Sequence, residues 1–168
     1  DRVALAAMGQ SQTIDGLVRI TASDIYSATQ MPAVLTRIRT LAPRLQIDVI
    51  AANDIRNLMR READIAVRHV RPEQPDLVAR LIRDAQAHLY AARTYLDTRG
   101  RPGTLADLAG HDFVSFGDTD RMAGYLNSVG VPVAAENFRV GSENGVAAWA
   151  MVRAGLGISP MDATVAAQ

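Results

Sequence analysis

The sequence contains no cysteine, which excludes disulfide staples, thiolate catalysis, thiolate zinc sites and thiol redox switching, and is compatible with a reducing compartment. Aromatic residues make up only 5% of the chain, and there is no charge surplus, because 18 Lys+Arg balance 18 Asp+Glu. Without clustered excess basic residues these positions offer no large sequence-independent nucleic-acid surface. No run reaches the roughly 18 to 20 apolar residues of a membrane helix, and the amino terminus lacks the basic region, apolar run and cleavage site of an export signal. What is present is 168 residues, 48% hydrophobic and 21% charged, the balance of a soluble globular chain. At this length folding buries roughly 70% of the surface of the unfolded chain, enough for one or two small lobes.

Periodicity divides the chain. Asp1 to Ile14 carries apolar residues at loose helical spacing and ends at Asp15-Gly16, a plausible helix stop. Leu17 to Thr21 is β-prone, and Met31, Val34, Leu35, Ile38 and Leu41 form an apolar stripe that predicts a helix over about Ser27 to Leu41. Pro43 ends it, and Leu45 to Ile50 alternates as a strand. A short helix at about Ile55 to Glu62 and a strand at Asp64 to Arg68 follow. This alternation of strands and helices predicts a parallel sheet with covering helices. After the loop Arg71 to Pro75, Leu77 to Ile82 reads as another strand.

A second unit begins near Ala87 to Ala92, with helices ending at Arg99 and spanning Leu105 to Ala109. Strands are predicted at Phe113 to Phe116 and Asn137 to Val140, whereas Gly117 to Gly124 has no assignable pattern. The segment Glu143 to Ala154 is nearly all small and apolar, hence a helix buried on more than one side. Gly155 stops it, Leu156 to Ser159 reads as a short strand, and Pro160 opens the final segment.

Several stretches together resemble one family. Gly16 to Ser23 followed by Met31-Pro32-Ala33-Val34-Leu35 and Pro43, then Arg61 to Arg68, then Ala92-Arg93-Thr94-Tyr95-Leu96, Leu105 to Leu108 with His111, and Ala154 to Pro160, are similar in order and spacing to the effector-binding domain of LysR-type transcriptional regulators. The resemblance covers Gly16 to about Met161. It implies an α/β, bilobed fold of the periplasmic-binding-protein type II kind, two Rossmann-like lobes with a small effector between them. On that reading residues 1–16 are the end of a linker helix, 17–83 form lobe I and 84–168 form lobe II. The family's DNA-binding winged helix-turn-helix and the carboxyl-terminal return to lobe I are not found in these residues. The resemblance further implies a cytoplasmic bacterial protein that pairs with copies of itself, as a homodimer or homotetramer, through the exposed side of the Gln30 to Ala42 helix, including Thr36, Arg37 and Arg39.

Open parallel sheets bind ligands outside the carboxyl ends of their strands, where backbone N–H groups and helix amino termini point into the crevice. That rule selects Ser23 and Asp24, then Asn53, then Arg68 and His69, and in the second unit Ser115, Phe116, Ser142, Glu143, Asn144 and Ser159. Ser23 is read evenly as an effector contact, which the resemblance favours, and as a helix cap, with Asp24 the expected cap. Arg68 offers a planar fork to an acidic effector, against an ion pair with Asp64 or Asp48. Ser142 is expected to cap the following helix, Asn144 to cap it or meet an anion, and Phe116 to wall the effector or join the core. The binding set is therefore Ser23, Asn53, Arg68, Phe116, Ser142 and Asn144, with His69 secondary.

No catalytic set emerges. Gly141-Ser142-Glu143-Asn144-Gly145 misplaces the serine of a nucleophile elbow, and His69, His88 and His111 stand singly, without metal-ligand spacing. Gly155-Leu156-Gly157 lacks the remainder of a dinucleotide fingerprint, and Asp118 with Asp120 reads as a solvated turn. The expectation is a non-enzymatic sensor with no metal and no cofactor other than a small organic effector, read as leaning toward an anion, acting on DNA through a separate domain and not on membranes. The alternative is an extracytoplasmic solute-binding protein of the same architecture, and an enzyme on the same scaffold comes third.

Overall fold

The computed structural model describes residues 14–53, 63–69 and 77–168. The helices expected over residues 1–13 and at Ile55 to Glu62, and the loop Arg71 to Pro75, lie outside the described residues.

Strand β1 (Gly16–Ala22) starts where Gly16 takes φ +104°, and pairs in parallel with β2 (Leu45–Ala51) on one side and β3 (Ile65–Val67) on the other. The order β2-β1-β3 means that the chain leaves β1 toward one neighbour and later returns to its opposite side. That reversal opens a crevice beyond the carboxyl end of β1. Between β1 and β2 the chain forms two helices, α1 (Asp24–Thr29) and α2 (Met31–Leu41), where one helix starting at about Ser27 is predicted. The break has a cause in Pro32, which has no N–H to offer the preceding turn and is accepted only at the start of a new helix. Ile20, Ala22 and Met31 form the buried centre of this lobe, flanked by Leu35, Ile47, Val49 and Val67.

The predicted strand at Leu77 to Ile82 is absent. Residues 77–86 carry no regular structure, and Val78, Leu81 and Ile82 are exposed. A strand persists by satisfying its backbone groups on a neighbour, and no strand among the described residues pairs with this segment.

The second lobe contains β4 (Ala87–Tyr90), α3 (Arg93–Arg99), β5 (Phe113–Phe116), α4 (Thr119–Ser128), β6 (Phe138–Ser142), α5 (Gly145–Arg153), β7 (Ser159–Asp162) and α6 (Ala163–Ala166). β4 pairs antiparallel with β7, and β5 pairs parallel with β6. Phe113 joins the two pairs through its parallel bridge to Ile158. The strand predicted at Leu156 to Ser159 therefore begins later, and Pro160 lies within it. The unassigned Gly117 to Gly124 loop contains the start of α4, whose N-cap is Asp118, accepting from the Arg121 amide at 3.0 Å. Asp118 is thus solvated, as expected, but caps a helix where a turn was read. Phe113, Leu126, Leu108, Met122, Tyr95 and Ile158 form the main core, and Val114, Ala148 and Val152 a second cluster beneath α5. α5 ends as its sequence predicts: Gly155 takes φ +85°, and the amides of Gly155 and Leu156 close back on the carbonyls of Val152 and Met151, the left-handed stop that glycine favours.

Candidate functional site

Parallel register aligns the ends of the first three strands, since Ala22 stands beside both Ala51 and Val67. Ser23, Asn53 and Arg68 consequently emerge at one edge of the sheet. Ser23 is the N-cap of α1, its Oγ accepting from the Tyr26 amide at 3.4 Å. Asp24, the expected cap, does something else. It is buried, with one carboxylate oxygen accepting from the Ile25 amide and the other from the Gly145 amide, both at 2.6 Å. Gly145 opens α5 in the second lobe, so this side chain joins the lobes.

Asn53 reinforces the junction. Its Oδ1 accepts from the Asp24 amide at 3.2 Å, and its Nδ2 donates to the Glu143 carbonyl at 2.9 Å. An amide side chain can do both because it carries a donor and an acceptor at one end. Two further bonds cross nearby: Gln30 Nε2 donates to the Thr164 carbonyl and Gln168 Nε2 to the Thr29 carbonyl, each at 3.2 Å.

Arg68 is half-buried, and its guanidinium donates to the Thr21 hydroxyl at 2.8 Å. The expected partners are engaged by Arg19: its side chain lies 3.9 Å from Asp48, and its amide donates to Asp64 at 2.8 Å. Burial lowers the pKa of Arg68 from its ordinary value, though arginine stays charged. Its Nε is buried and has no hydrogen-bond partner among the described residues. A buried charged donor left unmatched is costly, and a planar guanidinium with a spare N–H suits a carboxylate. His69 is exposed and sets its ring edge-on to Tyr26 with centroids 6.4 Å apart.

On the facing lobe, Asn144 is the N-cap of α5 and accepts from the Ala147 amide at 2.9 Å. Ser142, the expected cap, instead accepts from the Asn144 amide at 3.1 Å. Phe116 is 42% exposed at the end of β5, so it is not a core residue. An open depression of about 330 Å³ lies between β6 and the start of α4, with Ser115, Thr119, Ser142 and Glu143 on its wall, and none of Ser23, Asn53 and Arg68 lines it. Ser115 is committed already, accepting from the Thr119 hydroxyl at 3.1 Å. Among the described residues no three His, Asp or Glu side chains converge as a metal site, and no helix is long and apolar enough to cross a membrane.

The site thus brings Ser23, Asn53 and Arg68 to one edge and Asn144 to the helix end facing it. It also includes Thr21 and Gly145, which the sequence did not point to, and Asp24, which the sequence placed at this edge as a helix cap and not as a link between lobes. The signal for Gly145 is its position: the first helical residue after an N-cap asparagine has no need to be glycine, unless something approaches closely.

The model of the LysR substrate-binding domain matches residues 11–168. The chain belongs to this family. The helix-turn-helix-type transcriptional regulator CrgA of Neisseria meningitidis is 30% identical over 93 residues, which cover 51% of this chain and 31% of CrgA. The chain spans about a third of the length of that curated relative. Among solved structures, the CrgA regulatory domain superposes with a TM-score of 0.78 at 20% identity, covering 92% of this chain and 76% of its own. The regulator CbnR, solved full-length with its target DNA, gives 0.66 at 21% identity, covering all of this chain and 59% of its own. These likenesses establish the fold of the LysR-type domain, the bilobed α/β architecture of the regulatory domains.

Proposed function

We propose that this LysR-type domain is the effector-sensing part of a cytoplasmic transcriptional regulator, binding a small organic anion between its lobes. The observation that carries the reading is the Arg68 guanidinium, half-buried at the strand-order reversal with an unmatched Nε. Ser23 at the same sheet edge supplies a hydroxyl; the Asn53 amide is engaged with Asp24 and Glu143, so its share is the second hydrogen of Nδ2, and Asn144, whose Oδ1 caps α5, offers its Nδ2 from the facing side. A ligand that contacts both lobes binds one of their arrangements better than another and shifts the balance between them. The effect reaches DNA through a separate helix-turn-helix domain, a reading supported by the description of CrgA as a helix-turn-helix-type regulator and by the DNA-bound state of CbnR. Copies of the chain pair through the exposed side of α2, where Thr36, Arg37 and Arg39 all reach solvent.

The test is a thermal-shift screen of small mono- and dicarboxylates, followed by calorimetric titration. A binder raises Tm by mass action. Arg68→Ala should weaken it by about tenfold to a hundredfold, the worth of a hydrogen bond to a charged group, and Ser23→Ala by less. Equal affinity in wild type and both variants would remove this site.

A further inference from the structure

Asp24 is a carboxylate on the amino-terminal turns of two helices at once. Its oxygens accept from Ile25 in α1 and from Gly145 in α5, residues that belong to different lobes. Both bonds join an anion to helix N–H groups that have no partner within their own helix, and both gain from the positive end of the helix dipole. The approach is possible because residue 145 is glycine: a Cβ there would stand 2.8 Å from Asp24 Oδ1 and 3.4 Å from the Ile25 Cβ. Asn53 holds the same junction from the side, fixing the Asp24 amide and the Glu143 carbonyl together.

Separating the lobes breaks the bond to Gly145 and leaves a buried charge to be resolvated. We propose that Asp24 is an interlobe latch, a carboxylate of the chain itself that holds the first amide of α5 and sets how readily the lobes part. The latch stands on this geometry and does not depend on the effector reading. For a domain that signals through the relative placement of its lobes, it sets the resting balance that any ligand acts against.

The experiment is amide hydrogen exchange together with small-angle X-ray scattering on the intact protein and on Asp24→Ala, Gly145→Ala and the double variant, with no ligand added. Exchange at residues 145 and 146 should rise about tenfold or more in each single variant, with β1 and β5 protected as in wild type and the radius of gyration increased. The double variant should show no more than the larger single effect, because both changes remove one contact. Unchanged exchange at 145 and 146, or an equal loss of protection throughout β1 and β5, overturns the latch. If the alanine variants do not fold, Asp24→Leu decides: it branches at the same carbon and offers no acceptor, and it should raise exchange at Gly145 with β1 unaffected, whereas wild-type exchange there overturns the proposal. Because neither readout uses a ligand, failure of the latch leaves the effector reading standing, and the reverse holds too.

Discussion

Tyr95 is 5% exposed, and its hydroxyl accepts from the Asp112 amide at 2.8 Å while sharing a 3.1 Å hydrogen bond with His111 Nδ1. Tyr95→Phe keeps the ring in the core and strips a half-buried amide of its acceptor. The expected cost is about 1–3 kcal/mol, read as a Tm lower by roughly 2–10 °C for a chain of this size. An unaltered Tm would mean that water replaces the hydroxyl without loss. Gly141 presents a different constraint, because a Cβ there would stand 3.0 Å from the Ser115 carbonyl oxygen and overlap its hydroxyl. Gly141→Ala must therefore push β5 from β6, and overpacking of this kind costs about 1–3 kcal/mol, measurable by urea denaturation. The sequence shows a serine and a glycine at two strand ends, and only the parallel register sets one against the other.

α6 is four residues long and depends on its cap, since so short a helix has little stability of its own. Asp162 supplies the cap by accepting from the Thr164 amide, and it also pairs with Arg83 at 2.8 Å. Burial acts to raise its pKa, but the Thr164 hydroxyl, the Thr164 amide and the Arg83 guanidinium act together in the opposite direction and prevail, leaving it below the ordinary carboxylate value. A carboxyl with a lowered folded-state pKa stabilises the fold above its unfolded pKa of about 3.9, and the contribution is lost as pH falls through the folded value. Tm should therefore drop more steeply in wild type than in Asp162→Asn as pH falls below about 5. Parallel slopes would show that the cap does not contribute. For α5, Asn144→Ala removes the N-cap and should cost about 1 kcal/mol, seen as a lower urea midpoint of the lobe II transition followed through Trp149 in the same helix. Element identity was largely visible in the sequence, because apolar periodicity and proline act locally. The strand expected at Leu77 to Ile82 was not realised, because pairing depends on a distant neighbour.

The two lobes have separate cores. Among the described residues lobe I has three fully buried apolar residues at its centre, Ile20, Ala22 and Met31, against the eight of the main cluster in lobe II. The two clusters share no residue, and the bonds described between the lobes are polar ones that can open by themselves, so the molecule as a whole is not expected to unfold in one step. Trp149, the only tryptophan, packs on the α5 cluster and lies edge-on to Tyr90 with centroids 6.0 Å apart, so its fluorescence follows lobe II. In urea, the transitions seen by far-UV circular dichroism and by this fluorescence should therefore differ in midpoint. Coincident transitions would show that the interlobe contacts couple the lobes into one cooperative unit.

The sequence by itself determined the alternation of strands and helices, the family, and the polar residues that stand at the carboxyl ends of the strands. These follow from neighbours a few positions apart, where periodicity, caps and proline act. The tertiary structure alone decided which groups meet. Arg68 reaches Thr21 and not Asp64 or Asp48, and Asp24 leaves the capping of α1 to Ser23 and bonds Gly145, 121 residues away. A side chain's chemistry specifies what it can bond, but the approach of two lobes specifies which partner is within reach.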